Sequence, residues 1–343
     1  MISLLLRYFN LMVLTIAVLV IISFSLAYMF PGDTLTNISG IVPQSDEQRV
    51  ALEAAFKLDR SIFVQFWYYL QNLLNGDWGV SSSSQLSLFD EISIAFPATI
   101  ELISYALFVS IFVGIPLGFI GGIWHHKPFD FGVVTFSVVS YSFPVFWLAV
   151  IFITIFCLQL GYLPLSGRVN FLYDVPHSSG FILLDIITSD LPDKKDAFID
   201  ALRHLILPTA SIALVTTAIF IRFTRRSIMD EMNKGYVDAA KSRGFTTKQI
   251  FFKHGLRNSL LPILPLMAMQ ISTLITNAMV VETIFSWPGI GNWLIQAIYQ
   301  RDYPAIRIGM LVVSVFVVTL TISIEFISRA FDPARDKYQR ASI

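Results

Sequence analysis

The stretch Tyr236-Val237-Asp238-Ala239-Ala240-Lys241-Ser242-Arg243-Gly244 sets two alanines and a glycine inside a charged segment that long apolar segments flank. Val237 to Ser242 suit a helix, and Gly244 is placed to take the left-handed conformation that ends one. Thr246-Thr247-Lys248-Gln249 then has the spacing of a fresh capping box, so the expected local fold is helix, turn, helix. Ala239 and Ala240 leave one surface of the first helix nearly bare, and Arg243, Lys248, Lys253 and Arg257 surround it with positive charge. A groove on another protein can approach such a backbone closely. The plainer alternative is a solvated loop whose basic residues follow the positive-inside rule.

Outward from this loop the chain is apolar. Hydrophobic residues make up 55% of the 343 and charged ones 14%, well below the roughly 25% of soluble domains, which points to a multi-span membrane protein. Windows of spanning length fall at about residues 9–30, 98–121, 132–158, 205–224, 260–281 and 306–328, so the expected fold is all-α with six transmembrane helices. Arg7, Lys127, the nine basic residues from Arg222 to Arg257, and Arg329, Arg335, Lys337 and Arg340 lie on one side of those spans. That bias predicts both termini and the Asp238 loop in the cytoplasm. Arg7 precedes a run long enough to cross a bilayer, with no small-x-small cleavage site after it, so residues 1–30 are expected to stay as a first helix.

The remaining organisation is an outer segment, 31–97, and a five-helix core, 98–328. The core carries an outer insert at 159–204 and the loop at 225–258, and a tail follows at 329–343. Ser45-Asp46-Glu47-Gln48 has capping-box spacing and predicts a short helix outside the membrane. A second is predicted from Ile62 to Leu74, ended by Asn75-Gly76-Asp77, with Phe66, Trp67, Tyr68 and Tyr69 suited to the headgroup level. The insert, with Asp190, Asp193, Asp196 and Asp200, receives no role from its sequence.

Chemistry of other kinds finds little support. His125, His126, His177, His204 and His254 have neither helical i, i+4 spacing nor a cysteine neighbour, so no metal site is expected. Cys157 sits in an apolar run and reads as a small buried residue. No Gly-x-x-x-x-Gly-Lys-Ser/Thr occurs, so no phosphate-cradling loop of that type is present, and no catalytic triad is proposed. Glu101 and Glu325 are the carboxylates within expected spans, where an acid is a candidate for a proton relay. Each has a structural reading. Glu101 follows Pro97, where a helix entering from outside is expected to begin, close to water and to the positive end of the helix dipole. Glu325 precedes Arg329 by four residues, the favourable order for a helical ion pair.

Asp238, Ala239, Ala240 and Gly244, followed by His254-Gly255-Leu256-Arg257-Asn258-Ser259-Leu260-Leu261-Pro262, form one of a series of ordered motifs. The others are Gly76-Asp77-Trp78-Gly79-Val80-Ser81, Phe96-Pro97-Ala98-Thr99-Ile100-Glu101-Leu102, Ser142-Phe143-Pro144-Val145-Phe146-Trp147 and Leu163-Pro164-Leu165-Ser166-Gly167. Two more follow the fifth span: Glu282-Thr283-Ile284-Phe285-Ser286-Trp287-Pro288-Gly289-Ile290-Gly291 and Arg301-Asp302-Tyr303-Pro304. Together they resemble the peptide-type permease subunits of ATP-binding-cassette (ABC) importers over nearly the whole chain. The general importer motif sets its Leu-Pro nearer the glycine than Leu261-Pro262 is, and the longer spacing is similar to that of the peptide branch. Ser166 to Val175 and Gly180 to Asp185 most resemble the Sap-type permeases, which are associated with antimicrobial-peptide resistance and with putrescine export.

The resemblance implies a type I importer permease of the bacterial inner membrane, N-in and C-in. It implies a pairing with a second permease subunit, two cytoplasmic ATPase subunits that bind ATP and Mg, and a periplasmic substrate-binding protein, with no nucleic acid. Asp238, Ala239, Ala240, Arg243 and Gly244 are the expected ATPase-coupling residues, and no cofactor is expected in this chain. Pro144 and Phe146, with Trp287, Pro288, Gly289 and Gly291, are candidates for the pathway or its outer mouth. Non-helical backbone at membrane depth is tolerable only if buried in protein or lining a cavity; the competing reading for each is a turn that merely connects two spans.

Overall fold

In the computed structural model, residues 2–331 are described; Arg335, Lys337 and Arg340, and with them most of the expected tail, lie outside the described residues. Helix α1, Ile2–Met29, runs from the N-terminal side to a Pro31-Gly32 break and leads to the short α2, Thr34–Ser39. Helix α3, Asp46–Ala55, starts where expected: Ser45 Oγ accepts the Gln48 N–H, while the Gln48 side chain accepts the Gln44 N–H. Helix α4 spans Ile62–Leu74, the expected bounds, and Gly76 takes a left-handed φ of +82° just past its end.

Helix α5, Leu88–Ile123, is longer than its expected span because it begins outside the membrane, where Ser87 caps it and Asp90 and Glu91 occupy its first turn. Pro97 therefore lies within the helix and not at its start. The bent pair α6, Pro128–Ser142, and α7, Val145–Phe152, continues through a π-type stretch, Ile153–Gln159; the two arms meet at 97° across Phe143-Pro144. Proline at 144 removes a helical N–H and disfavours helix at Phe143, which is extended with φ −94° and ψ 132°. The third expected span is thus a broken one, and counting it as a single crossing gives six.

After α8, Ile182–Thr188, helix α9 runs Lys194–Met232, which at 1.5 Å per residue makes a rod about 58 Å long. It is the most enclosed span: 72% of its apolar window is buried, against 6% for the last helix. Its closest neighbour is α5, and the reason is a glycine every fourth residue. A Cβ at Gly114 would sit 2.7 Å from the Phe220 Cβ, at Gly118 2.7 Å from the Ile221 carbonyl, and at Gly122 2.2 Å from Ile228 Cγ2. Three bare positions on one face let two backbones touch, which is how helices associate where lipid supplies no hydrophobic drive.

The cytoplasmic segment comprises α10, Gly235–Ser242; α11, Thr247–Ile250; a π-type turn, Phe251–Gly255; and α12, Leu256–Leu260. Helix α13, Ile263–Ile284, returns across the membrane, α14, Ile290–Gln300, lies beyond it, and α15, Tyr303–Phe331, makes the last crossing beside α1.

The α5–α9 seam predicts a graded response. Gly118→Leu should destabilise by at least about 1–3 kcal/mol, the usual cost of overpacking, and lower the yield of monodisperse protein in detergent. Gly132→Ala, on the open face of α6 with nothing within 4 Å of the added carbon, should melt at or above the wild-type temperature, because alanine is the better helix former. A melting curve of G118L indistinguishable from that of G132A would refute the seam.

Candidate functional site

Two sites emerge, one at each end of the α9 rod. The cytoplasmic one contains the expected coupling residues. Helix α10 closes with both hydrogen bonds of a Schellman motif, Gly244 N–H to the Lys241 carbonyl at 2.9 Å and Phe245 N–H to the Ala240 carbonyl at 3.2 Å. Gly244 adopts φ +86°, the left-handed conformation its position demands. Thr246 and Gln249 form the reciprocal capping box, with Gln249 N–H donating to Thr246 Oγ1 and Thr246 N–H to Gln249 Oε1. Asp238, Ala239, Arg243 and Gly244 are exposed and Ala240 is half-buried, whereas Val237 is fully buried and pins the helix from below. The bare alanine face borders a cleft of about 410 Å³, walled by Tyr236, Arg243, Phe245, Ile250, Lys253 and His254. Lys253 stacks over the Phe245 ring at 5.3 Å.

A residue absent from the coupling motif holds this loop on its rod. Glu231, in the last turn of α9 and only 3% exposed, accepts hydrogen bonds from Tyr236 Oη at 2.6 Å and Asn258 Nδ2 at 2.9 Å, and pairs with Lys234 Nζ at 2.5 Å. One carboxylate therefore joins the end of α9, the start of α10 and the middle of α12. Burial, then the hydrogen bond to Glu231, pushes the Tyr236 phenol above its usual pKa, so it stays a donor at physiological pH. Ser227 Oγ donates to the Ser259 carbonyl at 2.8 Å, and Phe251 packs with Phe119 and Ile228 against the end of the glycine seam. The neighbouring cytoplasmic turn is tied to the same rod, because Arg225 forks onto Asp130 at 2.6 and 2.8 Å and His125 Nδ1 lies 3.0 Å from Asp130 Oδ2.

At the outer end the motifs quoted above meet in pairs. Glu282 Oε2 accepts the Gly291 and Asn292 N–H groups at 2.8 and 3.1 Å, and Thr99 donates to Glu282 Oε1 at 2.5 Å while accepting the Ile290 N–H at 2.8 Å. The first turn of α14 is thereby capped by two side chains, with the carboxylate at the positive end of the helix dipole. Trp287 donates from Nε1 to the Ala98 carbonyl at 3.0 Å and is fully buried. The stretch from Trp287 to Gly289, between α13 and α14, is non-helical because it turns about Glu282, and within it Trp287 and Gly289 are enclosed, as is Gly291 in the first turn of α14, while Pro288 is exposed. Trp287, Gly289 and Gly291 thus pack within this chain, and of the four residues expected at the outer mouth only Pro288 faces outward. Pro144 and Phe146, at the α6–α7 break, are exposed. Asp302 likewise accepts from Ser81 Oγ at 2.5 Å, Ser83 N–H at 3.1 Å and Ser83 Oγ at 2.9 Å, joining the Gly76–Ser81 and Arg301–Pro304 motifs.

The outer insert acquires a role here. Arg168 forms a buried salt bridge with Glu101, donates to the Gly180 carbonyl at 2.5 Å and stacks 5.5 Å from the Trp287 ring centroid, while Gly167 N–H reaches the Phe285 carbonyl at 2.8 Å. Glu101 is fully buried inside a helix that starts at Leu88, so the expectation of a carboxylate near a helix start and near water is corrected. Asp185 clasps the next loop: burial opposes its charge, but hydrogen bonds from Ser179, Ser178 and Gly180 prevail and hold it below the usual carboxylate range. Glu325 pairs with Arg329 at 3.2 Å, as expected, and also accepts from Tyr8 Oη at 3.0 Å. Both acids of the proton-relay alternative are thus held in ion pairs. Cys157, half-buried, donates from Sγ to the Pro164 carbonyl at 3.2 Å. Among the described residues no group of three His, Cys, Asp or Glu side chains lies together as a metal site would require.

Six spans, a cytoplasmic helical loop on a transmembrane rod and a helical outer layer make up the fold of a type I ABC transport permease. The chain belongs to the family described as the binding-protein-dependent transport system inner membrane component, whose model matches residues 114–337, with the corresponding N-terminal model matching residues 1–103. It is a multi-pass protein of the bacterial inner membrane. It is 34% identical over 340 residues, 99% of this chain and 100% of the relative, to the di/tripeptide transport system permease protein DppB of Pseudomonas aeruginosa (strain UCBPP-PA14). It is 35% identical over 333 residues, 97% of each chain, to the putrescine export system permease protein SapB of Escherichia coli (strain K12). To the peptide transport system permease protein SapB of Salmonella typhimurium (strain LT2) it is 34% identical over 332 residues, again 97% of each.

The Glu101–Arg168 pair predicts strong coupling. Glu101→Gln or Arg168→Met alone leaves a buried charge without its partner and should cost about 3–5 kcal/mol in detergent unfolding. The double variant should cost much less than the sum of the two. Additive losses would show that the two side chains do not stabilise each other.

Proposed function

We propose that this chain carries peptides across the inner membrane as one half of a pathway completed by a second permease subunit. Two cytoplasmic ATPase subunits bind ATP and Mg and drive it, and a periplasmic binding protein delivers the cargo. The observation that carries this reading is the exposed Asp238-Ala239-Ala240 face and its cleft, mounted through Glu231 on a rod that crosses the membrane. A bare helix face admits a partner's groove, and a loop fixed at three points moves as a body, so closure of the ATPases would rock α9 and its neighbours. Asp238, Ala239, Ala240, Arg243 and Gly244 serve as the contact.

The peptide class is favoured by the names of the relatives, which include di/tripeptide and peptide permeases. A second reading, export of putrescine, rests on the name of one relative, 35% identical. The discriminating experiment reconstitutes the intact assembly and measures ATP hydrolysis and flux with di- and tripeptides inside or outside, and then with putrescine. Stimulation by putrescine alone would replace the peptide reading.

Two variants test the coupling surface. Gly244→Val must hold a β-branched residue at φ +86°, a strain of about 1–3 kcal/mol that the Schellman turn relieves by opening. Transport should then fall while ATP hydrolysis continues. Ala239→Trp fills the bare face and should abolish co-purification of the ATPase while leaving the melting temperature unchanged. Wild-type coupled transport in both variants would exclude this loop as the contact.

A further inference from the structure

Arg222 falls inside the fourth expected span, 205–224, one turn of α9 deeper than Arg225. The next two arginines of that helix have carboxylate partners: Arg225 forks onto Asp130, and Arg226 lies 3.8 Å from Asp230. Arg222 is exposed and, among the described residues, has neither a carboxylate nor a hydrogen-bond partner. What its guanidinium carbon meets is the ring of Tyr141, 4.2 Å from the centroid. Along α6, Tyr141 stands about 16 Å of helix beyond Asp130. The direction follows from helix geometry, because Cα–Cβ bonds tilt toward a helix N-terminus. Helix α9 begins outside, so Arg222 leans into the membrane; α6 begins in the cytoplasm, so Tyr141 leans down to meet it. An arginine that only obeyed the positive-inside rule would reach for cytoplasmic water instead.

A second observation says what this patch faces. Helix α6 has 15 residues, about 22 Å of helix, which is shorter than the roughly 30 Å hydrocarbon core. The break at Phe143-Pro144 therefore falls within the membrane. There the last carbonyls of α6 run out of helical N–H partners, and Phe143 and Pro144 are both exposed. Exposed non-helical backbone does not face lipid. Covering it with an apolar surface of a second subunit would bury the unpaired cation of Arg222 beside it, at a large cost. A water-filled space meets both demands. Tyr141, 51% exposed and close to the break in sequence, belongs to the same patch and holds Arg222 against it.

We propose that Arg222 binds the C-terminal carboxylate of the peptide in transit, with Tyr141 holding the guanidinium in place; this rests on peptide transport as the function. A cation over a ring face is held without using an N–H donor, so the edge of the guanidinium stays free for a bidentate carboxylate. Every linear peptide with a free C-terminus carries that carboxylate whatever its side chains, so the site suits cargo of varied sequence. A diamine offers no acceptor and is repelled by the charge.

The test uses the intact assembly in proteoliposomes and measures ATP-driven flux of dialanine and of dialanine amide, which differ only in the C-terminal carboxylate. The readout is the ratio of acid to amide flux in the wild type, in Arg222→Gln and in Arg222→Met. The delivering binding protein is the same throughout, so its own preference cancels between variants. The ratio should fall by at least about tenfold in each variant, as expected for losing charge-assisted hydrogen bonds. A ratio equal to that of the wild type would overturn the proposal while leaving peptide transport in place. Equal loss of both cargoes, or failure of both variants to assemble, would make Arg222 a structural residue and overturn it too. A wild-type assembly that moves neither cargo would remove the peptide reading itself, and this inference with it.

Discussion

The close approach of α5 and α9 is the constraint from which the rest of the molecule hangs. Gly114, Gly118 and Gly122 bring the α5 backbone against Thr217, Ile221 and Arg225 of α9, so close that a single methyl group would collide at each position. The seam fixes α9 as a rod inside the protein. Three parts are attached to that rod: the insert through its outer end, the broken third span along its side, and the cytoplasmic loop through Glu231. Had those three positions carried side chains, α9 would stand further from α5 and the Phe119–Ile228–Phe251 cluster beneath the loop would open.

Charge is used differently at the two ends. On the outer side, buried carboxylates complete the motifs. Glu282 caps α14, Asp302 gathers the serines of the 81–83 turn, and Glu101 takes the arginine of the insert. All three are buried, and each satisfies donors that the turns of the outer layer would otherwise leave unpaired. On the inner side one carboxylate, Glu231, does the joining while the acid of the motif, Asp238, stays exposed beside Lys241 at 3.5 Å. Exposed charge of that kind contributes little to stability and is free for a partner.

Much of this was legible where structure is set locally. The bounds of α4, the capping box at Thr246 and the left-handed Gly244 follow from residues within a turn of one another, and the structure keeps all three. The start of α5 was legible too, in Ser87, Asp90 and Glu91, but a hydropathy window locates only the part of a helix inside lipid. Glu101 was misplaced for that reason. Glu282 falls one residue beyond the window that ends at 281, and its partners come from α5 and α14, which no local rule connects. The 97° bend at Pro144 has a visible cause but no visible angle, because the angle depends on what α7 packs against. Reading spans for hydropathy alone also passes over the four-residue glycine spacing, which carries its information in what is missing.

Stiffness ties these observations together. A rod of about 58 Å transmits displacement only if neither end is free to slide on its attachments. The outer end carries α8 and the insert that Arg168 locks to the core, and the inner end carries α10 and α12 through a shared carboxylate. Each attachment is buried and hydrogen-bonded at more than one point, so its partners must move together or break together. The bare alanine face, by contrast, has no stabilising task in this chain. Ala239 is exposed and Ala240 half-buried on a rigidly held helix, so they add little to its own packing and, on the proposed function, leave the space another protein needs.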